Sequence, residues 1–368
     1  MTTKANSEKE EKKMQKLFGT DGIRSRFGSY PLEEESIRKL GFSIAHLFNG
    51  SSILIGRDTR ASGKDIEKWL FDGLIDNSKV YCCGVVPTPV LAFLVKQGRF
   101  DLGIMITASH NPYFDNGIKI FKGDGEKISA DVEGQIEKIF FKADPLPTVN
   151  SLKETSIIYP VADHYSDYLK SLCEKYRLFS SNRDIRQLKL VVDCANGAFS
   201  DEAEKVFSSL GFAHVHYIGN LPNGININEH CGALHTESLH RTVLDRDADI
   251  GIAFDGDGDR LIAVDRKGNV LDGDHIILLI AMYLRREGEA DTTVIGTTMA
   301  NLGFEKALEK QGLKLIRTDV GDKYVYREMK RTGAMIGGEQ SGHIILKGFQ
   351  TGDGLVSALF FIAAIHQL

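Results

Sequence analysis

The sequence predicts three consecutive, related α/β domains with mainly parallel, mixed sheets covered by helices. A recurring pattern leads to this prediction: an apolar strand, a glycine-containing or polar turn and a helix with 3.6-residue periodicity occur three times, more than a hundred residues apart. Strands that alternate with helices form parallel sheets with helical covers. The length of 368 residues agrees, because one domain usually has about 100–200 residues.

The three units can be placed in order along the chain. Their strand and helix pairs lie at 52–56 and 66–74, at 188–193 and 202–210, and at 293–296 and 302–311. Prolines within 144–150 prevent the preceding helix from continuing and predict a linker there. A second turn is predicted at 268–269, after an apolar strand. The predicted domains therefore cover residues 1–158, 159–267 and 268–368.

Composition excludes several classes of protein. A formal net charge of -5 argues against general nucleic-acid binding, because phosphate backbones select basic surfaces. The first sixteen residues mix Lys and Glu without an apolar core, so no signal peptide is expected. The longest apolar run, 355–365, is shorter than the roughly 20 residues of a membrane span and predicts a buried helix. Five cysteines without metal or redox spacing predict reduced, mostly buried thiols in a cytoplasmic protein that is not bound to a membrane.

An acidic loop at 255–260 follows the apolar strand 250–254 and predicts a metal site. Asp255, Asp257 and Asp259 alternate with two glycines, which allow the backbone to curl until the carboxylates meet on one hard cation. A calcium-binding EF-hand is excluded, because arginines occupy its required glycine and glutamate positions. A dinucleotide loop is excluded because no helix follows. A solvated acidic hairpin is the weaker alternative, and Mg²⁺ is the predicted metal.

A serine loop at 107–112 follows another apolar strand, 102–106. Ser109 therefore lies where ligands bind in open α/β sheets, at the carboxyl end of a strand. The loop lacks the glycines of an esterase nucleophile elbow. The adjacent His110 does not by itself establish a base for this serine. From these residues alone, an ordinary polar loop remains the alternative.

Three shorter motifs add polar groups of the kind that bind a phosphorylated sugar. The glycine-rich stretch 337–343 carries Glu339, Ser341 and His343, which can hydrogen-bond sugar hydroxyls; a plain hairpin is the equal alternative. The turn at 18–24 ends in Arg24, a cation suited to phosphate. Lys119 closes a further polar stretch shortly after the serine loop.

Together these motifs resemble the α-D-phosphohexomutase family. The match consists of Thr-Ala-Ser-His-Asn-Pro at 107–112, Asp-Gly-Asp-Gly-Asp-Arg at 255–260 and Gly-Glu-Gln-Ser-Gly-His at 338–343, in the family's order. The turn at 16–24, the residues around 227–235 and Gln340 favour the branch that acts on glucosamine phosphate. The resemblance covers three of the family's usual four domains, and the C-terminal phosphate-binding domain is expected to be absent.

The resemblance implies a mechanism. Phosphorylated Ser109 would exchange its phosphoryl group with a hexose phosphate through a bisphosphorylated hexose, interconverting glucosamine 6-phosphate and glucosamine 1-phosphate for UDP-N-acetylglucosamine and cell-wall synthesis. Mg²⁺ would be held by the serine and the three aspartates of the acidic loop. Arg24 and Arg260 would neutralise phosphate charge, Lys119 would serve as general acid/base with a lowered pKa, and His110 would orient the serine. Glu339, Ser341 and His343 would hold the sugar.

Three alternatives accompany that expectation. A phosphomannomutase or phosphoglucomutase of the same family would use the same motifs with another hexose. A metal-dependent phosphohydrolase would use the acidic loop to release phosphate, and a non-catalytic fragment would only bind sugar phosphate. The expected partner is a small hexose phosphate and not a nucleic acid, and the family also suggests a homodimer.

Overall fold

The computed structural model describes residues 16–74, 78–143, 157–159, 164–179, 185–289 and 291–367. Within those ranges the chain forms three mixed sheets and eleven α-helices. The strands are β1 (Ile23–Arg26), β2 (Ser52–Arg57), β3 (Lys79–Val85), β4 (Leu102–Ile106), β5 (Asp115–Lys122), β6 (Ile157–Ile158), β7 (Lys189–Asp193), β8 (His214–Ile218), β9 (Ile250–Phe254), β10 (Leu261–Asp265), β11 (Val270–Leu271), β12 (Thr293–Thr297), β13 (Lys314–Thr318), β14 (Ile336–Gly338) and β15 (Ile344–Leu346). The helices are α1 (Glu34–Leu47), α2 (Gly63–Leu74), α3 (Thr88–Gln97), α4 (Ala130–Phe140), α5 (His164–Lys175), α6 (Glu202–Ser209), α7 (Glu237–Asp245), α8 (Gly273–Arg286), α9 (Leu302–Lys310), α10 (Asp322–Thr332) and α11 (Gly354–Gln367).

The first sheet has the strand order β1-β5-β4-β2-β3-β6. Its centre is parallel, while β5 runs antiparallel to both β4 and β1. Side chains alternate across the sheet: Ile53 and Ile55 belong to the core beneath α1, α2 and α4, and Leu54 packs with α3 on the opposite face. Because helices cover both faces, all five residues of β4 are buried.

The second and third sheets repeat this plan with fewer strands, in the orders β11-β10-β9-β7-β8 and β13-β12-β14-β15. Each contains an antiparallel hairpin, β9–β10 in the second sheet and β14–β15 in the third. The hairpin turns are the acidic loop and the Glu339 loop. They are joined directly, because Leu261 N–H donates to Gly342 O at 3.0 Å and Arg260 forms a β-bridge with His343.

The predicted strand–turn–helix units are confirmed at β2–α2, β7–α6 and β12–α9, and so is the class of mixed, helix-covered sheets. The apolar run at 355–365 lies within the buried helix α11. Among the described helices none is long and apolar enough to cross a membrane. The cysteines form no disulfide between described residues, and four of the five are buried.

Two expectations cannot be read from the described residues. The predicted linker at 144–150 and most of the charged N-terminal stretch lie outside them. The second sheet includes Val270–Leu271, just past the predicted boundary at 267. The domain boundaries themselves stay predictions.

Candidate active site

Ser109 lies in the loop that connects β4 to β5, at the carboxyl end of the parallel centre of the first sheet. Its side chain is buried, and its Oγ donates a 2.5 Å hydrogen bond to Asp255 Oδ2 of the β9–β10 hairpin. Its backbone has a φ of 53°, in the left-handed region that residues with a side chain seldom adopt. Thr107 Oγ1 accepts from Ser109 N–H at 2.8 Å and donates to Asp58 at 2.7 Å. The loop is therefore held by contacts on both sides of the serine.

The three aspartates of the acidic loop come together as the sequence predicts. Asp255, Asp257 and Asp259 are buried, and each offers a carboxylate oxygen within 4.8 Å of the others. Burial, followed by repulsion from Asp259 and Asp257, raises the pKa of Asp255 well above its ordinary range. Burial would also raise the pKa of Asp259, but attraction to Lys119 and His343 outweighs it and holds that pKa well below the usual value.

Two features of this cluster fit a divalent cation. Asp257 Oδ1 is buried and has no hydrogen-bond partner among the described residues. Asp259 Oδ1 is also buried, and its contact is a longer one of 3.5 Å to His343 Nδ1. A buried carboxylate oxygen without a partner is unfavourable unless a cation compensates it. The ligands are all oxygen atoms, the donor type that Mg²⁺ and Ca²⁺ prefer. The residues present therefore fit a hard metal ion at this hairpin.

Gly256 explains how the acidic loop can approach the serine so closely. A Cβ at this position would lie 2.6 Å from Ser109 O and 2.9 Å from Asn228 Nδ2. Both distances are shorter than real Cβ contacts, so a larger residue would push the two loops apart. The glycine thus permits the short bond between Ser109 and Asp255.

Lys119 reaches the acidic cluster from β5. Its Nζ donates to Asp257 Oδ2 at 2.8 Å and to Asp259 Oδ2 at 3.1 Å, and it lies 3.5 Å from Asp21. Burial acts to lower the pKa of Lys119, but Asp21, Asp257 and Asp259 outweigh burial and hold it well above the ordinary value. The expectation of a lowered pKa is wrong for this arrangement, because three acids surround the ammonium.

His110 lies beside Ser109 as the sequence suggests, with its Nδ1 3.3 Å from Ser109 Oγ. Burial, together with repulsion from Arg260 and Arg24, lowers the pKa of His110 to about 4. The imidazole is therefore neutral near pH 7. Because the one proton of the serine hydroxyl is donated to Asp255, this contact fits a neutral ring that carries its proton on Nδ1 and donates it to Ser109 Oγ.

A cavity of about 620 Å³ opens in front of these groups. Its lining comes from all three sheets and consists of Lys16, Leu17, Phe18, Gly19, Thr20, Asp21, Gly22, Arg24, Ser109, Asp259, Arg260, Val320, Gly321, Asp322, Glu339 and His343. The Nε atoms of Arg24 and Arg260 are buried without a hydrogen-bond acceptor in the described part of the chain. Two guanidinium groups with unused donors beside a serine suit a phosphate group.

The β14–β15 hairpin supplies the opposite wall. Glu339 lines the cavity and its Oε1 accepts from Gly321 N–H at 2.9 Å. His343 lies behind it, with Nε2 accepting from Gly352 N–H at 3.0 Å and Nδ1 3.5 Å from Asp259 Oδ1. Ser341 is half-buried in the same turn but lies outside the described lining of the cavity. The hairpin thus both forms the wall and supports the acidic loop.

Gln340 has a different position from the one its sequence context suggests. Its Nε2 donates to Asp272 Oδ2 at 3.0 Å, at the start of α8, and it lies outside the described cavity lining. Asp272 is the N-cap of that helix and accepts from His275 N–H. Gln340 therefore holds the hairpin against α8, and any influence on sugar choice is indirect.

Two groups of residues in the site were not predicted. Asp21, in the turn before Arg24, bonds to Arg24 at 2.7 Å and to Lys127, and Lys127 also bonds to Asp322 at the start of α10. The second group is Arg60 and Asn228, whose side chains bind the backbone of the serine loop. The stretch 56–60 carries a signal, three charges after a strand, but that signal does not show which arginine turns inward. Arg57 instead lies 3.5 Å from Glu67 on α2.

Comparisons with known proteins agree with this architecture. Models of the phosphoglucomutase/phosphomannomutase α/β/α domains I, II and III match residues 15–146, 163–268 and 272–368. A phosphoglucosamine mutase of Marinomonas sp. is 44% identical over 360 residues, which cover 96% of this chain and 78% of that protein.

Solved structures give the same picture. A phosphoglucomutase/phosphomannomutase family protein of Burkholderia thailandensis superposes with a TM-score of 0.77 at 28% identity, over 96% of this chain and 77% of the other. An Aspergillus fumigatus N-acetylphosphoglucosamine mutase in complex with GlcNAc-6P and magnesium has a TM-score of 0.60 at 18% identity, over 95% and 77%. The second likeness concerns the fold alone.

Proposed function

Because this chain belongs to the phosphoglucomutase/phosphomannomutase family, we propose that it is a phosphosugar mutase that interconverts glucosamine 6-phosphate and glucosamine 1-phosphate through phosphorylated Ser109. The observation that carries the proposal is the 2.5 Å bond between Ser109 Oγ and Asp255 within a buried cluster of three aspartates. The proposal is supported because the Ser109 hydroxyl, which would carry the phosphoryl group, lies beside the aspartates that would hold a cation. The choice of glucosamine rests on the Marinomonas relative.

In the proposed reaction the phosphoryl group moves from Ser109 Oγ to the free hydroxyl of a hexose phosphate. The P–Oγ bond breaks, a P–O bond to the sugar forms, and the hydroxyl proton passes to a base of the site. The bisphosphorylated sugar then turns around, and Ser109 takes its other phosphoryl group back. Phosphoryl transfer depends mainly on in-line positioning and on neutralising charge.

Different residues of this chain would hold the metal ion and neutralise the phosphate charge. Asp255, Asp257 and Asp259 would hold Mg²⁺ with the serine; a bound divalent cation stabilises the negative charge on a leaving oxygen. Arg24 and Arg260 line the cavity and would neutralise the transferring phosphate.

The remaining residues would handle protons and bind the sugar. Lys119 would serve as general acid/base. Despite burial, the acids around its ammonium raise its pKa, so it could accept the sugar proton only where a cation held by Asp257 and Asp259 offset their charge. The neutral His110 would orient the serine hydroxyl. Glu339 and the rest of its hairpin, including Ser341 and His343, would bind the sugar hydroxyls from the opposite wall.

The test combines mass spectrometry with a coupled assay. Purified protein is treated with a hexose 1,6-bisphosphate, and we expect one added phosphate that peptide mapping places on Ser109. Ser109→Ala should abolish both that phosphate and the formation of glucosamine 1-phosphate. Ser25→Ala, which changes a serine that bonds outward to Tyr30 O, serves as the control and should retain both. Full turnover by the Ser109→Ala protein would refute the proposal.

The position of Gln340 supports testing the sugar separately. The side chain that suggested glucosamine bonds to Asp272 and not toward the cavity. A pocket also discriminates weakly between sugars that differ by one polar group unless it hydrogen-bonds that group. From the likeness to a phosphoglucosamine mutase we expect kcat/KM to be highest for glucosamine phosphate. Because the discrimination is weak, we also expect measurable turnover of glucose and mannose phosphates. A higher kcat/KM for mannose or glucose phosphate would reassign the substrate and leave the mutase proposal intact.

A further inference from the structure

The carbonyl of Ser109 is held by two side chains from different sheets. Arg60 Nη2 donates to Ser109 O at 2.9 Å, from the loop after β2 in the first sheet. Asn228 Nδ2 donates to the same oxygen at 2.9 Å, from the segment that follows β8 of the second sheet. Both also donate to Asn111 O, at 2.8 and 3.1 Å. Two donors and two acceptors therefore form one clamp around the serine loop.

The guanidinium of Arg60 donates only to Asp58 and to backbone carbonyls around the serine loop, among the described residues. Its Nε donates to Asp58 at 2.9 Å, and Nη1 donates to Pro112 O and Asp115 O. With the two bonds from Nη2, all five N–H groups are engaged. The side chain is fully buried. Three of the five N–H groups thus bind carbonyls of the serine loop and a fourth binds Asp115 O at the start of β5, so this buried guanidinium is matched to the shape of that loop.

The asparagine of the clamp is equally fixed. Asn228 is buried, its backbone φ is 58°, and its N–H donates to Ala195 O at 2.8 Å. Asparagine tolerates this left-handed conformation better than most residues. Its amide also lies against Gly256 of the acidic loop, where an added Cβ would approach Nδ2 to 2.9 Å. The clamp therefore meets the serine loop and the acidic loop at one point.

We propose that Arg60 and Asn228 are positioning residues for phosphoryl transfer, which fix the Ser109 carbonyl and so aim Oγ at Asp255. This inference rests on the proposed function. With the left-handed backbone held on both sides, rotation about χ1 is the main freedom left to the serine side chain. Neither residue lies in the described lining of the cavity, so neither is expected to contact the sugar. They act on the alignment of Ser109 Oγ with the reacting groups. A misplacement of about 1 Å can lower the rate about 100-fold.

The experiment compares glycine substitutions at two left-handed positions of one segment. Asn228→Gly removes the two hydrogen bonds that the asparagine makes to Ser109 O and Asn111 O and leaves those of Arg60 in place. Glycine also adopts positive φ without strain. His230→Gly is the matched control, because His230 is exposed and also has a positive φ, of 52°. For each protein we measure kcat, KM, the rate at which a hexose 1,6-bisphosphate phosphorylates Ser109, and the thermal stabilisation by Mg²⁺.

For Asn228→Gly we expect kcat and the phosphorylation rate to fall together by about 10- to 100-fold. KM should stay within about twofold and the stabilisation by Mg²⁺ should be unchanged, because sugar and metal contacts are intact. His230→Gly should match the wild-type protein. Arg60→Lys keeps the charge beside Asp58 but lacks the planar fork, and it should show the same split between kcat and KM.

The outcomes separate this inference from the function on which it rests. A wild-type protein that neither turns over sugar phosphate nor accepts phosphate on Ser109 would overturn the proposed function. An active wild-type protein whose Asn228→Gly variant keeps its kcat within about twofold would overturn the clamp alone. A variant that loses activity only in proportion to its unfolded fraction, or that loses the Mg²⁺ effect equally, would also overturn it.

Discussion

Replacing Asp255 by Asn should make the protein more stable without metal and remove most of its stabilisation by Mg²⁺. The carboxylate shares a buried site with two others, and burial together with their repulsion raises its pKa well above the ordinary range. Asparagine keeps the shape and retains an oxygen that can accept from Arg260 N–H, the bond that Asp255 Oδ1 makes at 3.1 Å. The substitution therefore removes charge with little change in packing.

The size of the effect follows from the distances. Carboxylate oxygens within 4.8 Å of each other repel by about 3.5 kcal/mol per pair at an effective dielectric constant of about 20. Asp255 has two such neighbours, while Lys119 and Arg260 offset part of the repulsion.

The folded protein can avoid the remaining repulsion only by protonating Asp255. Relative to an ordinary pKa of 3.8, that costs at most about 4 kcal/mol at pH 7. We expect the free energy of unfolding to rise by about 1–3 kcal/mol. Each kcal/mol should raise Tm by about 2–4 °C.

Calorimetry in EDTA and in excess Mg²⁺ measures both parts of the prediction. Mg²⁺ at about 100 times its Kd should add about 2.7 kcal/mol to the wild-type protein and much less to the variant. Asp245→Asn changes an exposed residue of helix α7 and controls for the general effect of removing an acid from a helix that covers the same sheet. A variant less stable than wild type in EDTA, or one that keeps the full Mg²⁺ effect, would refute the electrostatic reasoning.

Two further predictions concern charged side chains, one in the site and one between β5 and α10. Lys119→Met removes the ammonium between two buried acids and should lower the free energy of unfolding in EDTA by about 3–5 kcal/mol, the usual cost of breaking a buried pair; unchanged denaturant curves would contradict this. Burial would raise the pKa of Glu126, but bonds from Lys330, Tyr326 and Lys122 lower it to about 2 from 4.5. The stabilisation by Glu126 is thus complete above pH 4.5 and lost as the pH falls toward about 2, so the difference in unfolding free energy between wild type and Glu126→Gln should shrink over that range. A difference that stays constant with pH would show that these bonds do not depend on the carboxylate's charge.

The parts of the fold and site that depend on local pattern were predictable from the sequence. The acidic loop is an example: apolar strands on both sides and two glycines between three acids leave few other structures, and the aspartates do lie within 4.8 Å of one another. Ser109 was predictable as a ligand position because β4 runs into its loop. Its partner Asp255 was expected only through the family resemblance, since 146 residues separate them.

The parts that were not predictable depend on contacts between distant segments. Arg57 and Arg60 are three residues apart in the same charged stretch, and only the folded chain shows that Arg60 turns inward. The same holds for the pKa of Lys119. A buried lysine is expected to have a lowered pKa, but the outcome depends on Asp21, Asp257 and Asp259, which are brought to it from two sheets. The sequence shows that these charged residues are present. It does not show whether the acids outweigh burial in setting the pKa of Lys119.

The charged groups that offset one another in the site come from all three sheets. A cluster of buried acids beside a left-handed serine is unfavourable by itself, so its cost has to be offset by groups that do not block the cavity. The offsetting groups come from the back and sides: Lys119 from the first sheet and His343 from the third. Lys127 then pairs with both Asp21, in the turn before β1, and Asp322, at the start of α10. The third sheet and helix α10 therefore contribute to the electrostatic balance of the site through His343 and Asp322, as the first sheet does through Lys119 and Lys127.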